Sequence, residues 1–163
     1  MTYISSIKFH KSIYNVEKEI NMPIADDFSN LNEIRENGKT ALMLAAAEGN
    51  LSLVERLMKN GAEVNARGKY CMSPLHEAAL NDHANIAQYL ILHGADIDSL
   101  TSQNITPLMC AAAWGCAEVA EILIKLGANV NIVDEYGLTA LDIAKEKEEL
   151  VVFKLLEGVI KIA

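Results

Sequence analysis

The sequence predicts an all-α solenoid in which short helix pairs stack along one axis. Four similar segments begin 33 residues apart, at Gly38, Cys71, Asn104 and Gly137. Each of them opens with a helix-start signal that leads into a run of small apolar residues. A fixed period of this length is typical of repeat proteins, whose single units cannot bury their apolar faces and must stack on neighbours.

Helix starts and ends follow from residues at equivalent positions of the repeats. A hydroxyl before a helix accepts a hydrogen bond from the first turn, and proline fits that turn because no intrahelical bond is lost. Such residues open each unit: Thr40, Ser73 with Pro74, Thr106 with Pro107, and Thr139. A residue with positive φ commonly ends a helix, and the second apolar run is followed by Gly61, Gly94 and Gly127. Each unit is therefore expected to be a helix, a turn, a second helix and a loop.

The core is predicted from apolar residues that recur at fixed positions. Alanines that allow close helix approach stand at Ala45, Ala78, Ala111 and Ala144, and again at Ala46, Ala79 and Ala112. Leucines that fill larger spaces stand at Leu42, Leu75, Leu108 and Leu141, and at Leu57, Leu90, Leu123 and Leu156. Stacked neighbours would bury both sets, as in other solenoids.

The segments "TALMLAA", "SPLHEAA", "TPLMCAA" and "NGAEVNA" resemble the ankyrin repeat, whose signature is T-P-L-H-x-A at a period of 33 residues. The resemblance covers the chain from about Gly38 to its C-terminus. It implies an L-shaped array of antiparallel helix pairs, with hairpin loops that project to one side and a concave surface used for protein binding.

The repeat register divides the chain into five units. Residues 1–37 are expected to be a degenerate N-terminal capping repeat, because Leu31-Asn32 aligns with Val64-Asn65 and apolar residues before it recur at helical spacing. Residues 38–70, 71–103 and 104–136 are repeats one to three. Residues 137–163 are expected to be a C-terminal capping repeat, since Lys145 stands at an alanine position.

Two departures from the repeat pattern fall in the turn before the first helix. Cys71 and Asn104 replace its glycine, and cysteine tolerates positive φ poorly, so strain or a changed turn is expected at Cys71. Among the four units only repeat two has the histidine of the motif, His76, for which a hydrogen bond within the turn is expected.

Composition and charge narrow the function classes. A chain of 163 residues with 51% hydrophobic and 22% charged residues fits one globular domain. No signal peptide or membrane span is visible, which favours the cytoplasm, with the nucleus or a host-cell cytosol also open. The formal charge is −8, and no lysine or arginine occurs between Lys69 and Lys125, so neither nucleic acid nor a membrane is expected as a partner.

The single tryptophan raises the question of a binding surface. Trp114 stands at the position of Glu48, Asn81 and Lys147, which predicts exposure to solvent. The same comparison selects further apolar residues, and two polar neighbours and one acid complete the predicted site. The predicted partner-binding residues are Tyr70, Met72, Leu80, Asn81, Leu100, Gln103, Ile105, Trp114, Val133, Glu135, Tyr136 and Leu138. In a soluble protein an apolar strip of this kind indicates an interaction site, although scattered surface apolar residues that pack on adjacent loops remain the alternative.

The expected partner is another protein, with an apolar centre and a neutral or basic rim. Asp82, Asp134 and Glu135 would then aid encounter and orientation. The chain is expected to act as an adaptor, inhibitor or targeting subunit, and to be monomeric when free. A structural or self-associating role, in which the strip meets a second copy, is the alternative.

Catalysis and metal binding are not expected. A nucleophile would have to come from Cys71, Cys110 or Cys116 beside His76 or His83, and no glycine-rich phosphate loop or paired-carboxylate motif is present. Cys110 is predicted to pack and Cys116 to be exposed. The odd cysteine count and the absence of paired ligand spacings favour reduced thiols, with no metal and no cofactor.

Overall fold

The computed structural model describes residues 30–161, which form eight α-helices with no strand between them. The predicted helical part of the N-terminal capping repeat, before Pro23, lies outside the described residues. The described helices are α1 Ala41–Ala47, α2 Leu51–Lys59, α3 Pro74–Leu80, α4 Ala84–Leu92, α5 Pro107–Trp114, α6 Ala117–Lys125, α7 Ala140–Glu146 and α8 Leu150–Ile160. The prediction of an all-α repeat fold is confirmed.

The helices form two layers. The first helices of the four pairs, α1, α3, α5 and α7, pack against one another in chain order, and α2, α4, α6 and α8 form the second layer. The predicted alanines are buried between them, and so are the predicted leucines except Leu141, which is half-buried in the last pair. Buried apolar residues form one continuous core through all four pairs.

The helix starts and ends agree with the prediction. The hydroxyl oxygens of Thr40, Ser73, Thr106 and Thr139 each accept a hydrogen bond from the backbone N–H three residues later. Each such cap is worth about 1 kcal/mol. Gly61, Gly94 and Gly127 follow the second helices with φ of 94°, 92° and 93°.

The pairs are joined by hairpin loops, which are residues 60–73, 93–106 and 126–139. One backbone hydrogen bond joins each loop to the preceding unit: Lys69 N–H donates to Gly38 O, Ser102 N–H to Tyr70 O, and Glu135 N–H to Gln103 O. These bonds keep the loops in register, so residues 33 apart lie side by side along the stack.

A side-chain ladder with the same period joins the loops that follow the second helices. The Oδ1 atoms of Asn32, Asn65 and Asp98 accept hydrogen bonds from Glu63 N–H, Asp96 N–H and Asn129 N–H, at 2.8, 2.8 and 2.9 Å. The ladder begins at Asn32, so the 33-residue period continues upstream of Gly38.

The turn at Cys71 is changed, as the sequence predicted. A 3₁₀ turn spans Lys69–Cys71, and both Tyr70 and Cys71 have positive φ, 57° and 58°. Such backbone costs about 1–2 kcal/mol per residue for amino acids with a Cβ atom. The Tyr70 side chain is exposed on this loop, with the Lys69 ammonium 5.0 Å from its ring centroid.

No helix between residues 30 and 161 has both the length and the apolar character required to cross a bilayer.

Candidate functional site

A small apolar pocket lies between repeats two and three, where the hairpin loops meet the first-layer helices. It has a cavity volume of about 20 Å³. We call it the Trp114 pocket. Its walls are formed by Met72, Leu80, Thr101, Ile105, Met109, Cys110, Ala113 and Trp114. The structure therefore brings together four of the predicted binding residues: Met72, Leu80, Ile105 and Trp114.

Trp114 is neither fully exposed nor fully packed. It is the last residue of α5, its side chain is half-buried against the core, and its indole Nε1 atom is buried. The next residue, Gly115, ends the helix with φ of 67°. The ring thus forms one wall of the pocket while part of the residue faces solvent.

The prediction that Met72 is exposed is wrong, because only 5% of its surface is accessible. Its carbonyl accepts from Gly68 N–H, which folds the loop over it, and the residue lines the Trp114 pocket. Ile105, at the equivalent position one repeat later, is half-buried, and so is Leu80. All three residues line the pocket, and Met72 is the least exposed of them.

Most of the remaining predicted residues lie on the hairpin loops, outside the pocket. Tyr70, Leu100, Val133, Glu135 and Tyr136 are exposed, and Gln103 is half-buried. Tyr136 is 58% exposed, the most of the predicted apolar residues. Gln103 Nε2 donates to Glu135 Oε1 at 2.9 Å, so these two polar residues bridge neighbouring loops.

Two predicted residues have other positions. Leu138 is half-buried and packs against the core rather than the pocket. Asn81 is exposed at the end of α3, where its Nδ2 donates to the Glu77 carbonyl at 2.8 Å. The Leu100 carbonyl accepts from the guanidinium of Arg67 at the equivalent position one repeat earlier. These contacts order the surface around the pocket.

One of the three acidic residues expected to aid encounter with a partner is buried. Asp134 is only 4% exposed, and its Oδ1 accepts from Tyr136 N–H and Leu138 N–H, both at 2.9 Å. Its role is to shape the third loop. Thr101, at the equivalent position of the second loop, accepts from Gln103 N–H and Ile105 N–H through its hydroxyl.

One repeat earlier, the equivalent groove is ionic instead of apolar. Lys39 stands at the position of Met72 and Ile105, and its Nζ lies 3.0 Å from Glu77 Oε2. The Glu77 side chain is 1% exposed, at the position that Cys110 occupies in repeat three. The apolar character of the pocket therefore belongs to the boundary of repeats two and three and is not a general feature of the repeats.

The cysteines and histidines have structural contacts. Burial raises the pKa of the Cys110 thiol, and the Glu77 and Cys116 charges raise it further, so the thiolate needed for nucleophilic attack is disfavoured. The prediction that Cys116 is exposed is wrong. It is 6% exposed, and its Sγ lies 3.8 Å from the Leu80 carbonyl of the preceding repeat. His83, at the equivalent position one repeat earlier, makes the same kind of contact through its Nε2 to the Ala47 carbonyl.

His76 forms the hydrogen bonds expected for the turn. Its Nδ1 accepts from Ser73 N–H, and its Nε2 lies 3.0 Å from the Ile105 carbonyl, which can only accept, so the proton is on Nε2. Burial lowers the pKa of His76 from 6.5 to about 4. The hydrogen bond to the Ile105 carbonyl raises this pKa, and the charge of Arg67 lowers it further. Within residues 30–161 no three His, Cys, Asp or Glu side chains are grouped closely enough to hold a metal ion.

Sequence reasoning missed four walls of the pocket: Thr101, Met109, Cys110 and Ala113. A signal was present for two of them. Cys110 lies four residues before Trp114 and therefore on the same helix face, and Ala113 shares a repeat position with Leu80. Thr101 and Met109 reach the pocket only because the second loop folds against α5, which the repeat comparison does not reveal.

Comparison with known proteins agrees with the architecture. A family model described as ankyrin repeats in three copies matches residues 11–101 and residues 75–161. No curated protein is similar enough in sequence to count as a relative. The two matches together cover far more than half of the chain, and the structure contains the stacked helix pairs that the resemblance implies. The chain therefore belongs to the ankyrin repeat family.

Proposed function

We propose that this chain is a non-catalytic module that binds another protein, as an adaptor, inhibitor or targeting subunit, through the Trp114 pocket and the adjoining hairpin loops. Ankyrin repeats are generally protein–protein interaction modules and are typically non-catalytic. The observation that carries the proposal is the pocket itself, an open apolar depression with the single tryptophan of the chain in its wall.

The composition of this surface supports binding. Tryptophan and tyrosine are the residue types most enriched at binding hot spots, and these lie in well-packed, desolvated pockets near the centre of an interface. Trp114 is in the pocket, and Tyr70 and Tyr136 project from loops two repeats apart. A partner that fills the pocket would thus have aromatic contacts on either side.

The rigidity of the pocket supports the same conclusion. Its walls come from helices and from loops that are held in register by backbone hydrogen bonds, so little order has to be gained on binding. Preformed sites lose less conformational entropy on association and bind more tightly for a given area.

The test is affinity capture with the wild type and a Leu80→Ala/Trp114→Asn variant, after circular dichroism shows equal folding. Alanine stands at the position of Leu80 in repeats one and three, and asparagine stands at that of Trp114 in repeat two, so the stack already accepts both. Loss of a hot-spot tryptophan costs about 2 kcal/mol, roughly thirtyfold in affinity.

Leu92→Lys is the matched control. Leu92 is 67% exposed on the second layer, and lysine stands at its position in repeats one and three. Proteins captured by the wild type and the control but lost by the pocket variant would support the proposal. Equal capture by all three would refute it, because the binding surface would then lie elsewhere.

A further inference from the structure

We infer that the occupant of the Trp114 pocket is a single aliphatic or methionine side chain in a segment whose flanking residues are lysine and arginine. The inference rests on the proposed function and specifies the chemistry of the partner at the same site. It follows from the lining of the pocket, from its size, and from the distribution of charge over the repeats.

The lining selects an apolar group. Met72, Leu80, Ile105 and Met109 offer alkyl and thioether surfaces, and Trp114 offers an aromatic one. The hydroxyl of Thr101 in the pocket wall already accepts two backbone hydrogen bonds and has only its O–H donor left for an occupant. A polar group would therefore lose its water with little compensation, which costs at least about 1 kcal/mol.

The size selects one side chain. A cavity of about 20 Å³ holds little more than the end of a branched or thioether chain, since the smallest space that admits one water is roughly 10–15 Å³. An aromatic ring or a small-molecule ligand requires a deeper site.

The charge of the surrounding repeats selects the flanking residues. Repeat two, residues 71–103, has four acidic residues and no lysine or arginine, and repeat three, residues 104–136, has four acidic residues and only Lys125. Repeat one, residues 38–70, has the opposite balance, with three acidic residues and five lysines or arginines. The pocket lies between the two most acidic units, so its surroundings attract cations.

Individual carboxylates lie at both ends of the pocket. Glu135 bridges to Gln103 on the loop side. On the helix side, Asp82 follows Leu80 by two residues and Glu149 lies against Gly115, next to Trp114. Cations also lie nearby: the guanidinium of Arg67 donates to the Leu100 carbonyl beside Thr101, and Lys147 stands at the position of Trp114 one repeat later. Over repeats two and three together the acidic residues still outnumber lysine and arginine. Charges within about 10 Å of a bound segment act on it at physiological salt.

The same charge disfavours a second copy of this chain as the occupant. Each copy has a formal charge of −8, so two copies would bring acidic repeats together at the pocket. Like charges placed opposite each other across an interface cost several kcal/mol. A basic segment of another protein has no such penalty.

The experiment is selection of a random dodecapeptide phage library on the full 163-residue chain. Enriched peptides are synthesised, and their affinities are measured by fluorescence polarisation at about 50 and about 500 mM NaCl, across which the screening length falls several-fold. We expect one leucine, isoleucine or methionine flanked by lysine or arginine, with an affinity that falls on the order of tenfold at the higher salt.

Three variants separate the contributions. Leu80→Ala/Trp114→Asn removes the pocket walls and is expected to weaken binding by roughly thirtyfold. Ile105→Lys copies Lys39 of repeat one and introduces a cation at the pocket, so it should also weaken binding. It replaces the double variant in the test if that variant does not fold. Asp82→Asn/Glu135→Gln keeps the hydrogen-bond acceptors and should reduce the salt dependence.

Each result is decisive. Enriched peptides without lysine or arginine that still need the pocket would overturn the inference on charge and leave the proposed function standing. Basic peptides that bind the pocket variants as tightly as the wild type would overturn both. A selection that enriches no peptide would also overturn the inference, because such a segment is well represented in the library.

Discussion

Protonation of His76 is expected to destabilise the fold as the pH is lowered, and the structure gives the size of the effect. The imidazole is buried, and both nitrogens are engaged in the neutral form: Nδ1 accepts from Ser73, and Nε2 donates to the Ile105 carbonyl. A second proton on Nδ1 would break the hydrogen bond from Ser73 N–H and would place a charge in the core.

The pKa of His76 in the folded chain is about 4, against 6.5 for an unperturbed histidine side chain. Because the folded pKa is the lower one, the unfolded chain binds the proton more readily. The stability is therefore complete above about pH 6.5 and is lost as the pH falls toward 4. At 1.36 kcal/mol per pH unit, the loss between pH 7 and pH 5 is about 2 kcal/mol.

The assay is urea denaturation of the wild type and a His76→Met variant at several pH values between 7 and 5, with unfolding monitored by circular dichroism. Methionine occupies this position in repeats one and three, and the Met109 sulfur accepts from Thr106 N–H at 3.5 Å. The turn is therefore expected to tolerate methionine in repeat two. Other groups that titrate contribute equally to both proteins. The difference in free energy of unfolding should narrow by about 2 kcal/mol on acidification; an unchanged difference would refute the reasoning.

Two further predictions concern stability and use neighbouring or equivalent residues as controls. Leu90 is 0% exposed and Leu92 is 67% exposed on the same helix. Leu90→Ala should therefore lower the free energy of unfolding, measured by urea denaturation, by about 2–5 kcal/mol, and Leu92→Ala should lower it by less than about 0.5 kcal/mol. Equal losses would contradict the packing of α4. Gly49 and Gly127 both have positive φ, but a Cβ on Gly49 would lie 2.6 Å from the His83 ring while Gly127 faces open space. Both alanine variants should lose about 1–2 kcal/mol from backbone strain, and Gly49→Ala should lose more. Equal losses in the two variants would contradict this, because they would show that His83 moves aside freely.

The repeat period made much of the architecture predictable. Comparison of equivalent positions identified the capping hydroxyls, the helix-ending glycines and the core alanines, because each depends on local geometry that recurs with the sequence. It also located the changed turn at Cys71, where a residue with a Cβ atom stands at a glycine position. At these positions the local residue type decides the structure.

The comparison failed where burial depends on the neighbouring unit. Met72 shares its position with Lys39 and is buried nonetheless, because the loop folds over it. Cys116 shares its position with Asn50 and is buried against the Leu80 carbonyl of the preceding repeat. Asp134, which the sequence predicts to be a surface charge, is buried and accepts two backbone hydrogen bonds.

The sequence by itself determined the family, the helix boundaries, the core and the acidic character of repeats two and three. Only the tertiary structure showed that Met72, Leu80, Ile105 and Trp114 surround one pocket and that the loop residues Val133 and Tyr136 lie outside it. The physical reason is that a helix start or a core position is set within one unit, whereas a pocket is the space left between two units. Its shape depends on how the loop of one repeat meets the helix of the next.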